Sequence, residues 1–265
     1  SRGAVNAVFA LTAEQAQQGV CTHSSGNHAQ ALARAAALRN IPAYIVMPET
    51  APRPKVDAVR AYGGQITFCK PTLSARESTL KTVIQKTGAR EIHPYNDPLV
   101  IAGQSTVAQE IKLQLAEEPD MIITPVGGGG LLSGTALAVK YFFQHTKVLA
   151  AEPRGADDAY RSFYSGKLVP SVQPQTIADG LLTSLGSRTF PVIFHEVSDI
   201  MTASDAFIIK AMRFIWERMK LIVEPSAAVP LAALMQQQPD IKGKRIVVVL
   251  SGGNLDLTHL PWQKS

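Results

Sequence analysis

Three short segments of the chain are rich in glycine and small polar residues, which are residue types that bind anions and polar ligands. The most unusual is Gly127-Gly128-Gly129-Gly130-Leu131, where consecutive glycines let several backbone N–H groups turn toward one point. With the positive end of a following helix, such a loop suits a phosphate group. It lacks the Gly-Lys-Ser/Thr of a P-loop and the GxGxxG spacing of dinucleotide-binding proteins. A flexible turn is the alternative, and the chain entropy lost by ordering four glycines counts against it.

The other two segments carry weaker signals. In Ser24-Ser25-Gly26-Asn27-His28, hydroxyls, an amide and the first N–H groups of a helix could bind a carboxylate. An ordinary helix N-cap formed by Ser25 or Asn27 explains the same residues equally well. In Leu250-Ser251-Gly252-Gly253-Asn254, a serine after an apolar run could hydrogen-bond a heterocycle nitrogen, although a plain turn is the simpler explanation.

The elements that must position these segments follow from an alternation of short β-branched runs and longer helical patterns. We predict strands at residues 19–23, 43–47, 65–69, 120–125, 148–151 and 245–250, and helices at 28–39, 54–62, 74–87, 131–143 and within 203–220. This alternation indicates parallel strands joined by right-handed crossovers, hence an α/β fold with twisted, mostly parallel sheets flanked by helices. Ligands in such folds bind at the carboxyl ends of strands, and each of the three segments follows a predicted strand.

Composition excludes several classes of protein. The chain has 265 residues, which suits one large domain or two modest ones, and its 46% hydrophobic and 18% charged residues argue against disorder. The net charge of +5 is carried by scattered Lys and Arg, so we expect no nucleic-acid partner. No apolar run approaches the length of a membrane span. Cys21 and Cys69 form no disulfide framework, and a cytoplasmic location is the expectation.

Taken in order, these segments resemble the fold-type II pyridoxal-phosphate enzymes, which are tryptophan synthase β-subunit-like, and among them the serine racemase and serine/threonine dehydratase family. The matching residues are Ser1-Arg2-Gly3-Ala4, Ser24 to His28, Val100-Ile101-Ala102-Gly103-Gln104, Gly127 to Leu131 and Ser251-Gly252-Gly253-Asn254. The resemblance covers nearly the whole chain, and the ordered set is specific. It implies a large cofactor-binding domain over residues 1–18 and 97–265, with its N-terminal part missing, and a small domain over 19–96.

The resemblance also assigns roles to residues. Those implied to bind the cofactor phosphate are Gly127, Gly128, Gly129, Gly130 and Leu131. Asn27 would contact the pyridine 3-oxygen and Ser251 the ring nitrogen, and a serine there implies an unprotonated pyridine and a weaker electron sink. The residues implied to hold the substrate carboxylate are Ser24, Ser25, Gly26, Asn27 and His28.

The family's Schiff-base lysine stands two residues before the Arg of an Arg-Gly-Ala motif. Arg2 matches that Arg, so the lysine is expected immediately before Ser1, outside the given sequence. Lys55, the first lysine present, matches no such motif. The expectation is therefore that the sequence begins just past the lysine, and the alternative is a catalytically dead homologue.

Ser25 narrows the activity that the resemblance implies. Racemases and hydroxyaspartate-type ammonia-lyases have serine at this position, whereas many threonine dehydratases have alanine. A hydroxyl opposite the lysine supplies the second acid/base that racemisation requires. The expected activity is interconversion of L- and D-serine with β-elimination of serine to pyruvate and ammonia. The alternative within the family is an L-threo-3-hydroxyaspartate or threonine/serine ammonia-lyase with little racemase activity.

A cation site and possible effectors are further implications. In serine racemases the residues matching Glu152, the carbonyl of Ala156 and Asp158 bind a divalent cation, and oxygen ligands suit Mg²⁺, Mn²⁺ or Ca²⁺. A solvated acidic loop is the alternative. Tyr95 stands where vertebrate racemases have an amide residue, and this difference counts against the nucleotide effector site of those racemases. A nucleotide effector nevertheless stays open. The family is commonly dimeric, so a homodimer is expected. The expected substrate is a small β-hydroxy amino acid.

Overall fold

The computed structural model describes residues 1–24, 26–237 and 241–263. The chain divides into two compact units, residues 1–104 and 105–265. Each unit contains a sheet of four strands in which every pairing is parallel, and helices flank both sheets. The predicted α/β class with parallel sheets is therefore confirmed.

The first unit contains four strands, in the order β3-β2-β1-β4. Its elements are α1 (Arg2–Phe9), α2 (Ala13–Gln17), β1 (Val20–His23), α3 (Asn27–Leu38), β2 (Ala43–Pro48), α4 (Arg53–Ala61), β3 (Gln65–Cys69), α5 (Leu73–Thr87), β4 (Arg90–Glu91) and the beginning of α6 (Pro98–Gln114). Strand β1 pairs with β2 from Val20 opposite Ala43 onward. The carboxyl ends of β1 and β4 consequently lie beside each other at one edge of the sheet.

The second unit repeats this arrangement with the strand order β7-β6-β5-β8. Its elements are the rest of α6, β5 (Met121–Pro125), α7 (Gly130–Phe142), β6 (Lys147–Pro153), α8 (Asp158–Ser165), α9 (Thr189–Glu196), β7 (Asp199–Ala203), α10 (Asp205–Met219), α11 (Pro225–Gln237) and β8 (Ile246–Val248), with 3₁₀ turns at Arg154–Ala156 and Asp179–Leu181. Because β5 is hydrogen-bonded to both β6 and β8, the loops after these three strands emerge side by side.

Local sequence explains why these elements form. Six of the twelve residues of α3 are alanine, the best helix former, and the small side chains let α3 pack closely while most of them are buried. The central strands are apolar on both faces, as parallel strands covered by helices must be, and Ile45, Val46 and Met47 have no solvent exposure. Helix α5 ends at Gly88, whose φ of +69° is a left-handed conformation that glycine adopts readily.

Both cysteines lie in the first unit and both tryptophans in the second. Cys21 of β1 and Cys69 of β3 are free, buried thiols, and burial raises the pKa of Cys21 to about 12. Trp216 and Trp262 pack edge to face, with ring centroids 5.3 Å apart. Across the described residues, no helix is both long and apolar enough to span a membrane.

Candidate functional site

The four-glycine loop follows β5 directly and leads into α7. All four glycines are buried, and Gly129 occupies the helix N-cap with a φ of +89°. The loop is anchored at its start, where the Val126 N–H donates to the Ala151 carbonyl at 3.0 Å. The first N–H groups of α7 have no acceptor within the helix, and the helix dipole places positive charge at the same end. This geometry suits a phosphate, as the sequence predicts.

Thr189, the first residue of α9, fixes the backbone of this loop and was not singled out from the sequence. Its buried hydroxyl donates to the Gly128 carbonyl at 2.8 Å and accepts from the Gly186 N–H at 2.8 Å. A β-carbon on Gly129 would lie 2.9 Å from Thr189 and 2.7 Å from Cδ1 of Ile193. Glycine at position 129 is therefore required both by its φ and by the neighbouring helix.

The Ser251 turn lies at the same edge of the second sheet, because β8 pairs with β5. The Val249 N–H continues this pairing by donating to the Ile123 carbonyl at 3.0 Å. Next to Ser251, the Gly252 carbonyl accepts from the N–H of Glu224, a residue that is 2% exposed. The turn is thus held against the segment that precedes α11.

A third segment of the second unit completes this edge. A β-carbon on Gly127 would lie 3.0 Å from the Cα of Leu181, and the Gly180 N–H donates to Oγ of Ser226 at 3.0 Å. The second unit therefore brings together the glycine loop, the 3₁₀ turn at Asp179–Leu181 and the beginning of α11. No sequence pattern marks Gly180 and Leu181, which are remote from the glycine loop along the chain.

In the first unit, the segment after β1 continues the sheet and then caps a helix. The Ser24 N–H donates to the Val46 carbonyl at 3.1 Å, and the Ser24 hydroxyl accepts from the Gly26 N–H at 3.3 Å. Gly26 is the N-cap of α3, so Asn27 is the first residue of the helix and not its cap. Ser25 lies outside the described residues.

Three histidines surround this segment and are neutral near pH 7. Burial lowers the pKa values of His28 and His93 to about 4 and also lowers the pKa of His23. Nε2 of His28 lies 3.0 Å from the Ile92 carbonyl and donates to it, because a carbonyl only accepts. Nδ1 of His93 accepts from the N–H groups of Tyr95 and Asn96, and the rings of His23 and His93 meet edge to face.

The positive charges near this segment come from lysine and arginine. Lys55 of α4 is only 6% exposed, and a β-carbon built on Gly26 would lie 3.8 Å from its Nζ. Arg76 of α5 has a buried Nε without a hydrogen-bond partner among the described residues, and its charge helps to lower the pKa of His23. In the sequence, Lys55 stands out only as a lysine that matches no Schiff-base motif, and no pattern marks Arg76.

The backbone nitrogen of Ser1 lies near the imidazole of His28. Ser1 directly precedes α1, and α1 packs against α3 in the core of the first unit. The position at which the family resemblance expects the lysine therefore adjoins the segment that begins α3.

The predicted cation ligands lie after β6. Glu152 is fully buried, and its Oε1 and Oε2 accept from the N–H groups of Ala159 and Tyr160 at 2.9 and 2.8 Å. Burial raises the pKa of Glu152 to about 9 and that of Asp158 to about 6, and the charge of Asp158 raises the pKa of Glu152 further. Both carboxylate oxygens of Asp158 are buried and make no hydrogen bond of good geometry among the described residues, although the Ser171 side chain lies near enough to offset part of the rise in the pKa of Asp158.

The backbone beside these carboxylates is tightly constrained. The Gly155 carbonyl accepts from the Gln175 N–H at 2.8 Å, and a β-carbon on Gly155 would collide with the Gln175 carbonyl oxygen. Ala156, whose backbone carbonyl is the third predicted ligand, is 5% exposed. In the described part of the chain, no three His, Cys, Asp or Glu side chains are grouped as metal ligands, so a cation here would need backbone or water oxygens beside the two carboxylates.

The parallel sheets and the glycine loop at a helix N-terminus define an α/β protein with a loop suited to a phosphate group. The chain belongs to the pyridoxal-phosphate dependent enzymes, whose family model matches residues 1–252. It is 51% identical to the β-hydroxyaspartate dehydratase of Paracoccus denitrificans, over 98% of this chain and 82% of that protein. It is 48% identical to the serine racemase of Dictyostelium discoideum, over 98% of this chain and 81% of that protein.

Solved structures agree with the family assignment. Maize serine racemase superposes with a TM-score of 0.94 at 46% identity, over 97% of this chain and 79% of that one. The family membership and the enzyme class that the sequence indicates are thereby confirmed, and the chain is a pyridoxal-phosphate dependent enzyme whose relatives are racemases and dehydratases.

Proposed function

We propose that this enzyme interconverts L- and D-serine and also eliminates serine to pyruvate and ammonia. The observation that carries the proposal is the buried glycine loop, fixed by Thr189, in a chain close to serine racemases over nearly its whole length. The similarity to a β-hydroxyaspartate dehydratase favours one second candidate, an ammonia-lyase acting on hydroxyaspartate with little racemisation. Both candidates act on small β-hydroxy amino acids.

The residues of the second unit fit the cofactor. Pyridoxal phosphate, when bound, withdraws electrons from the Cα of the attached amino acid and so makes its proton acidic. The N–H groups of Gly127 to Leu131 would bind the phosphate, since that loop presents helix N–H groups and has no room for β-carbons at Gly127 or Gly129. The Ser251 hydroxyl would donate to the ring nitrogen. Asn27, which belongs to the first unit, would contact the 3-oxygen of the cofactor through its amide.

The substrate is held and protonated by residues of the first unit in this proposal. The Ser24 hydroxyl and the N–H groups of Gly26, Asn27 and His28 would bind the substrate carboxylate, because the first turn of α3 leaves N–H groups without helical acceptors. The lysine expected before Ser1 would take the Cα proton from one face of L-serine. The Ser25 hydroxyl would donate a proton to the opposite face and so form D-serine.

Product analysis tests this proposal. The protein with its expected lysine, loaded with pyridoxal phosphate, is incubated separately with L-serine, L-threonine and L-threo-3-hydroxyaspartate. D-serine and pyruvate should both form from L-serine, and chiral chromatography with a keto-acid assay would measure them. Keto acid without D-serine would favour the ammonia-lyase. A protein that binds the cofactor and converts none of the three would be a catalytically dead homologue.

We further propose that Glu152, Asp158 and the carbonyl of Ala156 bind Mg²⁺, Mn²⁺ or Ca²⁺. A cation would satisfy the two buried Asp158 oxygens, which otherwise make no hydrogen bond of good geometry among the described residues, and its charge would offset the cost of burying two carboxylates. The hard oxygen ligands favour these ions over zinc or copper.

The cation proposal predicts a thermal shift. Adding Mg²⁺ or Ca²⁺ to chelator-treated protein should raise its Tm by about 5 °C, because a ligand that binds only the folded state stabilises it. Asp158→Asn should remove the shift. Asp157→Asn is the matched control, since Asp157 is adjacent but forms a surface ion pair with Arg161. An equal shift in wild type and Asp158→Asn would contradict the site.

The remaining assignments rest on the family resemblance and stay predictions. They are a homodimer, a cytoplasmic location, a nucleotide effector that Tyr95 leaves open, and the division into a domain of residues 1–18 and 97–265 and one of residues 19–96. Sedimentation of the loaded enzyme would test the first of them.

A further inference from the structure

Lys55 is a buried cation to which the proposed chemistry gives no role. It lies in α4, close to the beginning of the helix, and only 6% of its surface is exposed. Lysine is among the residues least often buried, because the strongly hydrated ammonium loses water on burial. Its neighbour Arg53, in the same helix, has a side chain that is 93% exposed. The burial of Lys55 is therefore a property of its position and not of α4 as a whole.

The Lys55 ammonium lies beside Gly26, the N-cap of α3. A β-carbon on Gly26 would stand 3.8 Å from Nζ, in van der Waals contact with it. Because Gly26 has no side chain, the ammonium adjoins the backbone on which the proposed carboxylate would rest. The ammonium and the positive end of the α3 dipole then act on the same point.

The histidines of this segment contribute no positive charge. His28 is neutral near pH 7, with its Nε2 proton on the Ile92 carbonyl, and burial likewise keeps His23 and His93 neutral. Ser24 and the α3 backbone offer only neutral donors. The positive charge that attracts a carboxylate bound at Gly26 would therefore have to come from a residue outside this segment.

We infer that Lys55 is a specificity-determining residue, which supplies the positive charge of the carboxylate subsite at Gly26. The inference deepens the proposed function and rests on it. Lys55 selects substrates with an ionised carboxylate over neutral analogues, because a charge-assisted interaction in a partly desolvated site is about twice as strong as a neutral one. Arg76 lies toward His23 instead, where its charge acts on that imidazole.

The test compares L-serine with L-serinamide, which has the same shape but no negative charge. Kinetic constants and binding, read from cofactor absorbance, are measured for wild type, Lys55→Met and Arg53→Met. In Lys55→Met the KM for L-serine should rise about tenfold while binding of L-serinamide stays within about twofold. Arg53→Met, which removes an exposed cation from the same helix, should behave as wild type.

The outcomes separate this inference from the proposed function. A wild type that does not turn over L-serine contradicts the proposed function. If the wild type turns over L-serine and the KM for L-serine is the same in Lys55→Met as in Arg53→Met, the proposed role of Lys55 is overturned. Lys55→Gln retains polarity and replaces the methionine variant if that one unfolds. Equal affinity of the wild type for L-serine and L-serinamide also overturns the role, without any variant.

Discussion

Replacing Ser25 with alanine should abolish racemisation while leaving most of the β-elimination of L-serine. In the proposed mechanism, elimination requires removal of the Cα proton of the L-enantiomer, which is the role of the lysine expected before Ser1, and departure of the protonated β-hydroxyl as water. Neither step uses the Ser25 hydroxyl. Formation of D-serine requires in addition a proton donor on the opposite face. Loss of a positioned acid/base lowers a rate by about 10²- to 10⁴-fold, and that is the expected decrease in D-serine formation.

The measurement is the ratio of D-serine to pyruvate formed from L-serine. Ser24→Ala is the matched control, because it removes a hydroxyl from the adjacent residue, which hydrogen-bonds Gly26 in the proposed carboxylate subsite. That variant should weaken substrate binding and so reduce both products together. A Ser25→Ala enzyme that keeps both activities in the wild-type ratio would sink the proposed role of the hydroxyl.

Alanine at position 129 is expected to cause the largest loss of cofactor binding. The alanine would have to adopt the left-handed backbone conformation, at a φ of +89°. Its β-carbon would also lie 2.7 Å from Ile193 and 2.9 Å from Thr189. Left-handed strain and overpacking each cost of the order of 1–3 kcal/mol. Because the loop must move to relieve them, the affinity for pyridoxal phosphate should fall about 100-fold, and the protein should also be destabilised.

Gly243 provides a control that separates strain from crowding. It has a similar φ of +74°, but a β-carbon there would meet nothing within 4 Å. Gly243→Ala should therefore lower the free energy of unfolding by about 1 kcal/mol and leave cofactor affinity unchanged. Cofactor titration and thermal unfolding of both variants are the measurements. Similar cofactor affinity in the two variants would show that the contacts with Thr189 and Ile193 do not shape the site.

The predicted strands and helices coincide with observed ones to within a few residues, for physical reasons that are visible in particular segments. Residues 43–47 and 65–69 are short β-branched runs, and the strands formed there pair in parallel from Tyr44 opposite Gln65. The alanine-rich run after Asn27 is a strong helix former. Such signals are local, so a single sequence contains them.

Several observed elements, among them α6 and α11, were not predicted from the sequence. Helix α11 contains Pro230, which normally ends a helix, yet that residue is buried in the helix interior. Helices α8 and α9 have only eight residues each, so about two turns of any apolar pattern fall within them. Strand β7 was also missed, although it pairs with β6 from Leu149 opposite Asp199 onward.

Some residues of the candidate site can likewise be recognised from the local sequence, and others only from the packed structure. The glycine loop could be recognised from its own residues, because consecutive glycines before a helix are rare. Thr189 and Leu181 support that loop from more than fifty residues away, and only the packed structure brings them to it. The position of Lys55 was likewise invisible, since its exposure depends on how α4 packs and not on its neighbours in sequence.

The distribution of cysteine and tryptophan gives each unit its own intrinsic reporter. Cys21 and Cys69 are buried in the first unit, so an alkylating reagent reaches them only when that unit opens. Trp216 and Trp262, which pack edge to face, belong to the second unit, so their fluorescence follows the loss of its packing. The chain thus permits the opening of its two units to be timed separately, without any introduced label.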